Sequence, residues 1–141
     1  MDKQIKSKLI FNKYEIDNIK FNINKDYVDN GPIDMDLKFG TEIKLGSGNS
    51  AKVKLSVLLF DKCKEQNYPF ELSLDVIGDF VYEVEGDCGE EKMLQLCKVH
   101  GTTALFPYMR SAVTDITKIA NVEPLVMPLI NIYNMIKEAE N

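Results

Sequence analysis

Between Met35 and Val84 apolar and polar residues alternate in three runs, and a side-chain period of two commits those runs to strands. Between Met35 and Leu45 the odd positions are Met35, Leu37, Phe39, Thr41, Ile43 and Leu45, and the even ones Asp36, Lys38, Gly40, Glu42 and Lys44. Gly46-Ser47-Gly48-Asn49-Ser50 supplies the residues of a hairpin turn, after which Ala51, Val53, Leu55, Val57 and Leu59 resume the apolar face. A polar stretch with Asn67-Tyr68-Pro69 separates them from a third stripe. It runs Phe70, Leu72, Leu74, Val76, Gly78, Phe80, Tyr82, Val84, and is opposed by Glu71, Ser73, Asp75, Asp79 and Glu83. Upstream, Leu9 and Phe11 alternate, and so do Ile19, Phe21 and Ile23, but the phase slips between the two groups. An inserted residue shifts phase in this way, so one long bulged first strand is expected. Residues 24–34, with Asn30-Gly31-Pro32 and Tyr27, read as a crossover loop. Four such strands with mostly short connections point to one antiparallel sheet.

After Gly86 the period changes. Glu90-Glu91 suit a helix start, and Met93, Leu94, Leu96 and Cys97 give a short helical stretch that Gly101-Thr102-Thr103 is expected to interrupt. Leu105, Met109, Ala112, Val113, Ile116, Ile119 and Ala120 then form a stripe along one helix face. Pro107 fits only a first turn, which places the start of this main helix near Thr103–Phe106. Asn121 suits a left-handed cap. Two prolines four apart, Pro124 and Pro128, make the next stretch an extended connector, and Leu129, Ile132, Tyr133 and Ile136 mark a last short helix. The expected architecture is a single α+β domain over residues 1–141. Its parts are a sheet over 8–85, a broken main helix over 89–121, a connector over 122–128 and a C-terminal helix over 129–139.

At 141 residues the chain fits one domain. A net charge of −5, from 22 acidic and 17 basic residues, disfavours unspecific attraction to nucleic acid or anionic lipid. No apolar run approaches the roughly 18 residues of a membrane span, and Met1–Lys6 lacks the apolar stretch of a secretory signal. Cys63, Cys88 and Cys97 are odd in number and show no CxxC spacing, which agrees with a reduced, cytoplasmic location. His100 is the only histidine, so a two-histidine metal site is excluded, and no local motif supports Cys63 or Cys97 as a nucleophile. Gly46-x-Gly48-x-x-Ala51 has the letters of a dinucleotide fingerprint but runs into a strand, and a Walker-type GxxxxGK[ST] is missing. The expectation is a protein without enzymatic chemistry, metal or cofactor.

Two apolar features stand outside this scheme. Leu125-Val126-Met127-Pro128-Leu129 joins two helices although loops are usually polar, so it either folds into the core or lines a groove for foreign apolar side chains. Leu58, Phe60, Ile77 and Val81 fall on the polar side of their strands, which suggests that another chain or the crossover loop covers part of that face.

Leu105-Phe106-Pro107-Tyr108-Met109-Arg110 is similar to the L-F-P-Y-A-R stretch of the SecB export chaperones, and Met127-Pro128-Leu129-Ile130-Asn131-Ile132 to their L-P-P-[IV]-N-F segment. Gly78-Asp79-Phe80 matches the family's G-x-F pattern. The order of elements resembles SecB over about residues 8–138. Leu129 replaces the second proline, Ile132 the aromatic, and Pro124 sits one place late. The chain stops soon after Glu140, short of the acidic tail that engages the motor ATPase SecA.

The resemblance implies a homotetramer, a dimer of dimers, with first strands paired across the dimer and an interface at Leu105, Met109, Ala112, Val113, Ile116 and Ile119. It implies a client-binding groove at Tyr27, Val122, Leu125, Val126, Met127, Leu129 and Tyr133. Glu71, Asp75, Asp79 and Glu83 share one strand face and read as a solvated surface; by the resemblance they offer SecA an acidic face. Arg110 is expected in a structural ion pair. The function implied is an ATP-independent holdase for unfolded or precursor polypeptides, serving protein export and translocation. Alternatives are a dedicated chaperone of one client such as an antitoxin, and an interaction protein that kept the fold without client binding.

Overall fold

The computed structural model describes residues 7–84 and 89–139. The expected end of the sheet at residue 85, together with Gly86, Cys88 and Glu140, lies outside the described residues. Strands β1 (Ser7–Ile23), β2 (Leu37–Leu45), β3 (Ser50–Leu59) and β4 (Phe70–Val84) form one antiparallel sheet in the order β1-β4-β3-β2. The crossover loop therefore carries the chain from one sheet edge to the other.

The phase slip in β1 is resolved by two bulges, between Phe11 and Lys13 and between Ile16 and Asn18. They set Phe11, Tyr14, Ile16, Ile19, Phe21 and Ile23 opposite Phe80, Gly78, Val76, Leu74, Leu72 and Phe70. Directly opposed residues share a face, so the bulges keep all six on the helix side of the sheet despite their uneven spacing. The β2–β3 hairpin closes as its glycines and Asn49 imply: Gly48 and Asn49 have φ of 64° and 61°, and Gly46 N–H donates to Ser50 O at 2.8 Å. Phe60 has φ 57°, which ends the alternation and turns its ring into the core. That accounts for one residue of the unexplained apolar set; Leu58, Ile77 and Val81 are half-buried on the far face. A single helical turn, α1 (Cys63–Gln66), fills the β3–β4 connection between two left-handed residues, Lys62 and Asn67.

Helices α2 (Gly89–Leu96) and α3 (Thr102–Ile119) are joined through a π turn at Cys97–Gly101, with Leu96, Gly101 and Thr102 all in helical conformation. The break expected at Gly101-Thr102-Thr103 does not occur. Gly101 serves close packing instead, since a Cβ there would stand 2.9 Å from Val53 Cγ2. Pro107 consequently lies inside α3 and not in the first turn of a new helix. Gly78 on β4 allows a second close approach, because a Cβ would meet Leu105 Cδ2 at 2.7 Å. With α3 held this near the sheet, Leu105, Met109 and Val113 are fully buried against it. This corrects half of the expected subunit interface: those three side chains belong to the chain's own core and have no surface left for a neighbour. Ala112 and Ile116 are half-buried, and Ile119 is 85% exposed.

Asn121 caps α3 with φ 61°. Its N–H donates to Lys118 O, and Val122 N–H to Thr117 O, the paired bonds that close a helix through a left-handed residue. Helix α4 (Ile132–Ala139) begins three residues later than expected and buries Ile132 and Ile136. Among the described residues no helix is long and apolar enough to cross a membrane.

Candidate functional site

An open cavity of about 730 Å³ lies between the crossover loop and the connector. Tyr27, Ile33 and Met35 line it from the loop, Val122, Leu125 and Val126 from the connector, and Phe60 and Phe70 from the sheet end. The charged residues lining it are Asp29 and Glu123, with no lysine or arginine.

Both walls are pinned by side chains. In the loop, buried Asn24 donates through Nδ2 to Cys63 O at 3.1 Å and Tyr68 O at 2.9 Å, while its N–H donates to Pro69 O. Asn67 holds Val28 from both sides: its Oδ1 accepts from Val28 N–H at 3.0 Å and its Nδ2 donates to Val28 O at 2.8 Å. In the connector, Thr117 Oγ1 accepts from Leu125 N–H at 3.0 Å and Thr114 Oγ1 donates to Leu125 O at 2.9 Å. Arg110 Nε donates to Met127 O at 2.9 Å. Positions 110, 114 and 117 stand on one face of a helix, so α3 presents three successive anchors to one extended strand. Arg110 thus acts structurally through a backbone carbonyl, and among the described residues it makes no helix-surface ion pair.

The predicted groove residues divide. Tyr27, Val122, Leu125 and Val126 meet at the cavity. Met127 does not: its side chain is 0% exposed and packs in the core, where Arg110 holds its carbonyl. Leu129 is 84% exposed and lies outside the cavity, and half-buried Tyr133 takes a hydrogen bond from Gln95 Nε2 at 2.9 Å. Ile33, Met35, Phe60 and Phe70 were missed as site residues. Loop-and-sheet contacts of this kind have no periodic signature, although Asn67-Tyr68-Pro69 marks where the anchor sits.

The carboxylates on the far face of the sheet are not a bare acidic surface. Asp79 pairs with Lys52 at 2.8 Å and Lys13 at 3.8 Å, Asp75 with Lys54 at 3.8 Å, and Glu83 with Lys8 at 3.3 Å. Glu71 accepts the Lys62 N–H. The hydrogen bond from Lys52 holds the Asp79 carboxyl below the usual carboxylate range. Cross-strand register thus interleaves cations with Asp75, Asp79 and Glu83, so this face carries ion pairs as well as acids. Burial pushes the Cys97 thiol up, away from the thiolate a nucleophile needs. Among the described residues no three His, Cys, Asp or Glu side chains gather in a way that would hold a metal ion.

The chain is therefore an α+β unit with a continuous helical rod on a four-stranded sheet and an anchored apolar groove at one end. The family model described as preprotein translocase subunit SecB matches residues 18–141, and the chain belongs to the SecB family. It is 26% identical, over 99% of its length and 90% of the relative's, to the uncharacterized protein MJ0357 of Methanocaldococcus jannaschii. Its fold matches that of a solved Mycobacterium tuberculosis structure, the Rv1957 SecB-like chaperone in complex with a ChAD peptide from the Rv1956 HigA1 antitoxin. The TM-score is 0.71 at 18% identity, covering 87% of this chain and 91% of that one.

Proposed function

We propose that this protein is an ATP-independent holdase chaperone that takes extended, non-native polypeptide into the groove between the crossover loop and the connector. The observation that carries this reading is the cavity itself, open to solvent between two anchored walls and lined by apolar side chains. Membership of the SecB family supports a chaperone role without covalent chemistry. Affinity arises from apolar area leaving water, at about 25 cal/mol per Å², so it is broad in sequence and modest per site. Asp29 and Glu123 add a preference for segments carrying lysine or arginine near apolar residues, which screening by salt weakens.

Suppression of aggregation of a denatured model protein, followed by light scattering, tests the reading. The wild-type protein suppresses the signal, and Val126→Asp, at a side chain 65% exposed, loses suppression while folding normally. Failure of the wild-type protein at a molar excess contradicts the proposal and favours an interaction protein that kept the fold. Met127→Asp buries an unpaired charge and unfolds the protein.

The second reading is a dedicated chaperone of one client. It is favoured by the likeness to the mycobacterial chaperone solved with an antitoxin peptide. Capture from the native host separates the two: many precursors with SecA support a role in export and translocation, and one small partner supports the dedicated role. The proposed setting is cytoplasmic. Assembly into a dimer of dimers is proposed through β1, whose outer edge is unpaired among the described residues and whose Ile16, Ile19 and Ile23 are exposed on the helix side.

A further inference from the structure

Leu125 has both its N–H and its C=O bonded to α3, and two residues on Met127 has its C=O bonded there as well. Groups two residues apart that reach the same neighbour are those of an extended strand, so the polar groups of the intervening Val126 point the other way. Val126 lines the cavity, and among the described residues neither its N–H nor its C=O has a partner. Two residues to either side on that same edge stand Pro124 and Pro128, which have no N–H. The connector is thus a strand whose inner edge is tied to α3 and whose outer edge offers one donor.

We infer that a bound client adds to this edge as a β-strand, exchanging a pair of main-chain hydrogen bonds with Val126, and that Pro124 and Pro128 confine the pairing to that one residue. This rests on the chaperone reading and gives it a mechanism of recognition. Main-chain pairing needs only that the client be extended, which every unfolded segment supplies and no folded surface does. Flanking prolines block the ladder from growing, as prolines do on sheet edges, so capture stays reversible and the chaperone does not template aggregation. The occupant is an extended polypeptide because the vacant groups are a peptide donor and acceptor, with apolar walls beside them and carboxylates at Asp29 and Glu123 for basic side chains.

The test uses a labelled peptide about ten residues long, alternating leucine and threonine with a terminal lysine, in fluorescence anisotropy. Val126→Pro removes the N–H and keeps an apolar side chain. A backbone ester replacing the Leu125–Val126 amide, installed by ligation, removes the N–H without a ring. Both are expected to bind about tenfold more weakly than wild type, the size of one net main-chain pair, and the proline variant keeps the wild-type thermal melting. Val126→Ala, which keeps the N–H, is expected to lose less. Pro124→Val restores a second donor and binds more tightly. In the wild-type complex, hydrogen exchange slows at the Val126 amide. Equal binding by the proline and ester variants, or an unprotected Val126 amide at saturating peptide, overturns strand addition while the groove reading stands. If the wild-type protein does not bind the peptide at all, both fall.

Discussion

Three side chains on one face of α3 decide where the connector lies, and through it where a wall of the groove stands. Thr117 is fully buried, and its hydroxyl both donates to α3's own backbone, with Val113 O at 3.0 Å, and accepts the Leu125 N–H. Thr117→Val keeps the shape and strands that N–H, which costs about 1–3 kcal/mol. Denaturant unfolding is expected to show a lower midpoint with an unchanged slope, and peptide affinity falls with it. Arg110→Lys removes a planar donor from the Met127 carbonyl; it is expected to weaken peptide binding more than stability, measured by anisotropy and melting together. On the far face the sign of the pH effect follows from Asp79. Its folded-state carboxyl titrates below the unfolded one, so its contribution is present above the ordinary carboxylate range and is lost as pH falls through the depressed value. Asp79→Asn is therefore expected to show a shallower fall in urea midpoint between about pH 6 and about pH 3. The effect is small because the lysines that face it are well exposed.

At the scale of elements, the sheet was legible in the sequence because a period of two is local. Each strand declares its buried face whatever packs on it, and even the two bulges of β1 left a visible phase slip between Phe11 and Ile19. Helical stripes declare less. Leu105, Met109 and Val113 lie along a buried face at helical spacing, but that spacing does not say whether the protomer's own sheet or a second subunit buries them; Gly78 decides it by letting α3 descend onto β4. Gly101 misled for a related reason, since a glycine that breaks a helix and one that lets a helix touch Val53 look alike in sequence. Gly78→Ala is expected to push α3 off the sheet and cost about 1–3 kcal/mol, read as a lower melting temperature. For the connector, an apolar segment bound for either core or groove was legible, and its division between the two was not. Which of Leu125, Val126 and Met127 turns inward depends on Thr114, Thr117 and Arg110, 8 to 17 residues upstream of the groups they hold, and no local pattern encodes that.

For the whole molecule, the long β1 edge is the feature that calls for a neighbour. Exposed edges invite pairing, and beside this one Ile19 is 51% exposed. Together with Ile119, beyond the part of α3 buried on the sheet, it extends apolar surface past what the protomer covers. Ile19→Lys combined with Ile119→Lys is expected to reduce the sedimenting mass without moving the melting temperature, because neither side chain is part of the protomer core. The central claim is that foreign chain lies between the crossover loop and the connector. Photo-crosslinking groups placed at Met35 and Glu123, one on each wall, and at Leu58 on the far face of the sheet, test it directly with an unfolded client. The account predicts client adducts from both wall positions and none from Leu58; capture at Leu58 with silence at Met35 and Glu123 would contradict it.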